Sequence, residues 1–324
     1  MKIHLPNSAF LGNIDPFLRK FNPINPKKLE ITANKKWISI HPVVLSIVAA
    51  LGLLVKPKNI KCEKLEATSK HYLERMGLFK FLRIKSDITI TEHEPAGRFI
   101  PITQIQDSNG LSRFITDMIP LLHLKPKHAR PIQYIVSELA RNVLEHSGSK
   151  RGAILSAQYY KKSNAIRIGI VDTGVGIKKT INRSYKAKTD LEAIKLALTP
   201  GITGATLKEG GTERNAGAGL FFIKSIANVN QDHFMIYSGK AMYKLLKSKP
   251  NVVGFRLHTD PLKDKHSKEE NLPSWKGTIV GIDISLDTTK EFATLLDLIH
   301  DTYDRAVRAR KKAKSKYYKR AKFI

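Results

Sequence analysis

Val171 to Ile177 reads "VDTGVGI": an apolar approach, one carboxylate, and two glycines with a single residue between them. Glycine loops of the G-x-x-x-x-G-K-[ST] pattern hold phosphate with backbone N–H groups and a lysine, and no such string occurs in this chain. The dinucleotide pattern G-x-G-x-x-G fails as well, because Gly174 and Gly176 are followed by "IKKTIN". An acid in this place suits a partner that donates hydrogen bonds, since an ionised Asp172 only accepts them. The exocyclic amino group of adenine is such a donor, and glycines beside the acid let the backbone come close to a flat base. The string also reads as an Asp-Thr-Gly turn between two elements, so the surrounding sequence has to decide.

Upstream, Pro131 is placed to start a helix, and Ile132, Ile135, Val136, Leu139 and Val143 follow on one apolar face. Ser147, Gly148 and Ser149 stop it. On the same helix "SELARNVLEH" sets Glu138, Asn142 and His146 four residues apart, on a side distinct from the apolar stripe. The runs "GAILSAQYY" and "AIRIGIVD" predict strands joined by a hairpin-like "KKSN". Further on, "NAGAGLFFI" places Gly217 and Gly219 at the opening of a short helix "GLFFIKSIANV", whose first amides can meet phosphate. Strands are predicted near "HFMIYS", "VVGFRLH" and "GTIVGIDISL", the last carrying Gly277 and Thr278 at its start.

In this order the strings resemble the GHKL family of ATPases, which includes gyrase, heat-shock chaperone, histidine kinase and mismatch-repair nucleotide domains. The resemblance implies the Bergerat fold, an α/β protein built as an α+β two-layer sandwich, and ATP with Mg²⁺ as the ligand. It makes Asn142 the Mg²⁺ ligand and Glu138 the catalytic residue that orients or deprotonates the attacking water. By the same resemblance Asp172 reads adenine, Gly174 and Gly176 flank the base, Gly217 and Gly219 form the phosphate loop, and Thr278 supports the adenine pocket. The stretch "TPGITGATLKEGGTERN" falls where the family keeps its ATP lid, with Lys208 and Arg214 either near the γ-phosphate or solvated. One departure is Asn215, where the usual phosphate motif has a further glycine. "GLFFI" and "ELARNVLEH" are nearer to the anti-sigma-factor kinases, which phosphorylate serine, than to sensor histidine kinases. A sensor kinase also needs a phosphoacceptor histidine on a separate hairpin. His128 stands only ten residues before Glu138, and both His123 and His128 read as surface or interface residues. His146 is open between a phosphate contact and a structural bond.

Residues 1–85 alternate strand and helix in "KLEITA", "WISIH", "VVLSIVAALGLLV", "NIKCEKL" and "SKHYLERMGLFKFL", which predicts a small α/β unit. This unit is similar to a STAS domain, the fold of anti-sigma-factor antagonists. It lacks their Asp-Ser pair at "SIHPVV", so Ser39 and Ser46 read as structural. Residues 86–118 are more polar and read as a connector with a strand or two, residues 119–304 as the ATPase-like domain, and residues 305–324 as a basic tail.

A chain of 324 residues is long enough for two folded units, each with its own core. The single Cys62 excludes an intramolecular disulfide and any multi-cysteine metal site. No secretory signal is visible at the start, and "PVVLSIVAALGLLV" is too short to span a bilayer, so a cytoplasmic location without membrane contact is expected. Net charge is +28, with ten Lys or Arg and no acid in "RAVRARKKAKSKYYKRAK" from Arg305 to Lys322. Such a run either is a solvated basic tail or meets nucleic acid. The function expected is therefore a Mg-ATP-binding regulatory protein that hydrolyses ATP or passes its γ-phosphate to a protein partner, with nucleotide-dependent lid closure. The alternative is a non-catalytic ATP-gated module that binds protein or nucleic acid through the tail. A homodimer is compatible with both.

Overall fold

The computed structural model describes residues 1–24, 26–86, 88–89, 99–122, 124–204, 219–247, 257–286 and 292–320. The chain begins with β1 (Lys2–Leu5), a short helix α1 (Asp15–Leu18), β2 (Leu29–Ala33), α2 (Pro42–Gly52) and β3 (Ile60–Cys62). The three strands form a small parallel sheet in the order β1-β2-β3. Parallel neighbours need a crossover, and α2 supplies it between β2 and β3. All eleven residues of α2 are buried, the behaviour of a helix that is apolar all round. His41 caps it by accepting the Val43 N–H at Nδ1, and Pro42 takes the first turn where no N–H is needed.

Three expectations for this region change. β1 was not anticipated. "WISIH" is no strand but an extended approach to the His41 cap, with one parallel bridge between Ala9 and Ile40. "SKHYLERMGLFKFL" divides into α3 (His71–Arg75) and α4 (Leu78–Leu82), because Gly77 adopts φ +72° and breaks the helix.

Within the stretch read as a connector lies β4 (Phe99–Ile105), followed by α5 (Ser108–Arg113). Next come α6 (Pro126–Asn142), β5 (Ala153–Tyr160), β6 (Ala165–Val171), α7 (Ile177–Ile181) and α8 (Asp190–Ala197). The remainder is α9 (Gly219–Val229), β7 (Phe234–Gly239), β8 (Ala241–Leu245), β9 (His266–Glu269), β10 (Trp275–Ser285) and α10 (Phe292–Arg320). The expected strand at "VVGFRLH" lies mostly outside the described residues. α6 starts at Pro126 rather than at Pro131, which sits inside the helix. A wider turn over Val143–Ser147 ends it at Gly148, which adopts φ +59°.

Seven strands form an antiparallel sheet in the order β4-β5-β6-β10-β7-β8-β9. With helices packed on this sheet the chain is α/β in composition and α+β in layering. α6 through α10 contribute to the core on one face, where Ile132, Ile135, Val136, Leu139 and Val143 are all buried, as their spacing predicts. The other face is covered by residues 1–88, whose buried side chains join Ile154, Val171, Met235, Tyr237, Met242 and Ile279 of the sheet in a second core. The two cores are thus divided by the sheet rather than by a break in the chain.

Contact with α2 is made where the sheet has almost no side chains. Ser156 of β5, Gly169 of β6 and Gly281 of β10 are successive partners across three strands. A Cβ on Gly169 would overlap the backbone of Val43. Ser46 Oγ lies 3.0 Å from Ser156 Oγ and donates to the Gly169 carbonyl at 3.2 Å, which makes Ser46 structural. Beside this contact, His41 Nε2 meets Asp283 at 3.1 Å, and because Nδ1 is the acceptor for Val43 the proton sits on Nε2. Arg167 is sandwiched between Phe10 and Tyr160, with its guanidinium 4.3 and 4.2 Å from the ring centres. Among the described residues no helix is long and apolar enough to cross a membrane.

Candidate functional site

Strand alternation puts an acid at the end of an apolar row. Ile166, Ile168 and Ile170 of β6 belong to the helix-side core, while Val171 belongs to the other. Asp172 therefore continues the helix-side row one step past the strand. On β10 the same alternation puts Thr278 ahead of Val280, Ile282 and Ile284. Since Ile279 pairs with Val171, Thr278 stands opposite Asp172. Two bonds join them: Asp172 N–H donates to the Thr278 carbonyl at 2.9 Å, and Thr278 N–H donates to the side-chain Oδ2 of Asp172 at 3.1 Å.

The second carboxylate oxygen, Oδ1, accepts the Gly174 N–H at 2.7 Å. Asp172 is 1% exposed. Burial raises its pKa to about 6, against the lowering effect of the bonds from Gly174 and Thr278. Its carbonyl is held by Trp275 Nε1 at 3.0 Å. Gly277 adopts φ +120°, and a Cβ there would overlap the Asp172 carbonyl, so only glycine allows the two strand ends to meet so closely.

Above Asp172 opens a cavity of about 320 Å³, bounded by α6, the start of α7, the residues after α8, the start of α9 and the first half of α10. Of the residues singled out from sequence, Glu138, Asn142, Asp172, Gly176, Gly219 and Thr278 line it, and so does His146. Two candidates do not share this position. Gly174 lies off the cavity wall: its missing Cβ makes room for the Ser147 carbonyl, which accepts the Val175 N–H at 2.8 Å. Its part is to seat the loop on the end of α6 and to bond Asp172. Gly217 lies outside the described residues, as do Lys208, Arg214 and Asn215.

At the other end of the cavity Glu138 and Asn142 face the start of α9. A Cβ on Gly219 would stand 2.6 Å from Glu138 Oε2 and 3.5 Å from Asn142 Nδ2, so Gly219 permits a close approach of α9 to both. Burial raises the Glu138 pKa, with Arg141, 3.6 Å away, opposing and Glu145 adding to the effect. Asn142 Nδ2 is buried and has no hydrogen-bond partner among the described residues. A buried amide end left unpaired costs about 1–3 kcal/mol, and a ligand or ion at that end recovers it. The assignment of O and N in an amide follows from its partners, so the same end can present oxygen.

No known protein family matches the sequence, and no curated protein matches it.

The remaining lining includes the apolar Ile170, Ile177, Ile202, Val280, Tyr134, Leu220 and Phe222, with Ser147, Thr180 and Thr203 adding hydroxyls. Ile170 and Val280 were within reach of the alternation argument. His300 was not. It comes from α10, lies 4.5 Å edge-on from Phe222 and joins the lining from a distant part of the chain. Its Nδ1–H donates to the Leu296 carbonyl at 2.9 Å, which leaves Nε2 for other partners. No sequence motif marks it. Among the described residues no group of three or more His, Cys, Asp or Glu side chains is arranged to hold a metal.

Proposed function

We propose that the cavity takes Mg-ATP and that the chain is a GHKL-type regulatory protein which hydrolyses ATP or transfers its γ-phosphate to a protein partner. The observation that carries this reading is Asp172. A buried carboxylate in the cavity wall, with apolar side chains beside it and each oxygen already tied to a backbone N–H, is a fixed acceptor for one more donor. The adenine amino group meets that need, and guanine would present a carbonyl oxygen in its place. Ile170, Ile177 and Val280 offer apolar surface to the ring.

The donor set fits a magnesium ion that keeps most of its waters, since such an ion takes one or two protein oxygens and the phosphates. Asn142 would hold it from the buried end of its amide. Held there, a magnesium ion would supply positive charge against the phosphates. Glu138, half-buried on α6 opposite Gly219, would orient the attacking oxygen and take its proton, and a raised pKa suits a group that must hold that proton. Gly219 keeps the first turn of α9 close to both side chains.

A second reading makes ATP a clamp, with turnover incidental. Thr203 and Gly204 line the cavity, so a bound nucleotide would contact this segment as well as α6 and α9. In either case residues 1–85 are proposed as a STAS-like unit with a docking role, and the protein as cytoplasmic. The test is incubation with γ-labelled ATP and Mg²⁺, with and without candidate protein partners, alongside binding of ATP and GTP. Label released to water or moved to protein supports the first reading, and ATP binding without either supports the clamp. Equal affinity for ATP and GTP overturns both.

A further inference from the structure

α10 has two halves of opposite character. Leu295, Ile299, Tyr303 and Val307 recur every four residues and are buried against the helix-side core. After Val307, Arg308, Ala309, Lys311, Lys312 and Ala313 are exposed, while Arg310 is half-buried with its Nε and one terminal guanidinium nitrogen covered. The helix nevertheless continues to Arg320. From Arg305 to Arg320 it carries nine Lys or Arg and no acid. At 1.5 Å per residue this is an arm of roughly 24 Å.

Positions 305, 308, 312, 316 and 319 are spaced by three and four, so they share one face, and all five are Lys or Arg. Like charges three and four apart on a helix repel. Arg308 meets Asp304, just ahead of the arm, at 3.9 Å. A row of cations that repel one another, on a helix that runs thirteen residues beyond Val307, calls for a polyanion rather than for more protein core.

We propose that the α10 arm is a docking surface for duplex DNA, entering the major groove and contacting phosphates on both sides. Three observations choose this occupant. An α-helix fits the major groove of B-form DNA, whereas the deep, narrow groove of duplex RNA does not admit it. A membrane-surface helix needs a bulky apolar face opposite its charges. From Arg308 to Arg320 the residues that are not Lys or Arg are Ala309, Ala313, Ser315, Tyr317 and Tyr318, which do not provide one. The row is also long and regular, which suits a phosphate backbone better than a folded acidic partner. The proposal is independent of what the cavity binds.

The test measures fluorescence anisotropy of a labelled duplex DNA with the full chain, between about 50 and 300 mM salt. The arm variant is Lys312→Glu, Lys316→Glu and Lys319→Glu together. A control makes the same change of charge at Lys56, Lys58 and Lys61, which are exposed residues far along the sequence from α10. Duplex RNA, single-stranded DNA and vesicles containing phosphatidylserine are measured in parallel. The arm variant should weaken duplex DNA binding by about 100-fold near 0.1 M salt and reduce the slope of log affinity against log salt by about 3, while the control loses less than about 5-fold. Thermal melting of both variants should match the unmodified chain, since the exchanged residues are charged both before and after the change and lie outside the apolar row that ends at Val307. Equal losses from the two variants, no DNA binding by the unmodified chain, or stronger binding to RNA, single strands or vesicles than to duplex DNA would each overturn the proposal.

Discussion

Asp172 is the residue on which the proposed chemistry turns, and its environment gives a pH signature with a definite sign. Burial holds its pKa at about 6. A ligand amino group that donates to the carboxylate favours the ionised form and lowers that pKa in the complex. Binding therefore expels a proton when pH is below about 6, and affinity falls there by up to tenfold per pH unit, while above about pH 7 it is flat. Calorimetry of ATP binding at pH 5.5 in two buffers of different ionisation enthalpy should show proton release. Asp172→Asn should lose both the release and the pH dependence, and an unmodified chain whose ATP affinity is constant from pH 5 to 8 would count against the assignment. Glu138 gives a complementary test. Glu138→Gln keeps the shape beside Gly219 and removes the base, so ATP affinity should stay within about threefold while product formation drops by roughly 100-fold or more. Unchanged turnover in that variant would remove Glu138 from the chemistry.

At the scale of elements, the close contact of α2 with the sheet depends on a position that has no side chain. Gly169 lies under the backbone of Val43, between Ser156 and Gly281 on the neighbouring strands. Gly169→Val has no room without lifting α2, and overpacking of this kind costs roughly 3 kcal/mol. Ser46→Ala keeps the spacing and removes one buried hydroxyl, with an expected loss of about 1 kcal/mol. Urea denaturation of the two variants checks the order, and a Gly169→Val loss no greater than that of Ser46→Ala would mean that α2 does not pack as described. Nothing in the sequence marks Gly169 for this role, because a glycine inside a strand shows no partner until the layer above it is known. Elements with a strong period were legible: the apolar face of α6, the β5–β6 hairpin, α9, and the alternation that carries Ile166, Ile168 and Ile170 into Asp172. Residues brought in from a distance were not, and His300 is the clearest case, since only the fold of α10 against Phe222 places it at the cavity. Gly174 shows the other limit. Its motif could be read, but its partner, the Ser147 carbonyl, could not.

For the whole molecule, the decisive feature is that one antiparallel sheet serves two cores, one of them completed by the first 88 residues. Without that layer Ile154, Val171, Met235, Tyr237, Met242 and Ile279 would form an apolar face open to water, so the residues that shape the cavity and the residues that cover the back of the sheet should unfold together. Trp275 is a natural reporter for both. It is buried, packs edge-on with Phe21 at 6.5 Å from the N-terminal layer, and donates to the Asp172 carbonyl at the site. The other tryptophan, Trp37, is 52% exposed, and Trp37→Phe leaves Trp275 as the sole indole signal. In that variant, urea unfolding followed by Trp275 fluorescence and by far-UV circular dichroism should give one coincident transition. Mg-ATP at about 100 times its dissociation constant should shift both curves together by roughly 2.7 kcal/mol, because the ligand binds the folded state alone. Two separated transitions, with the nucleotide moving only the later one, would mean that the N-terminal layer folds and opens independently of the site.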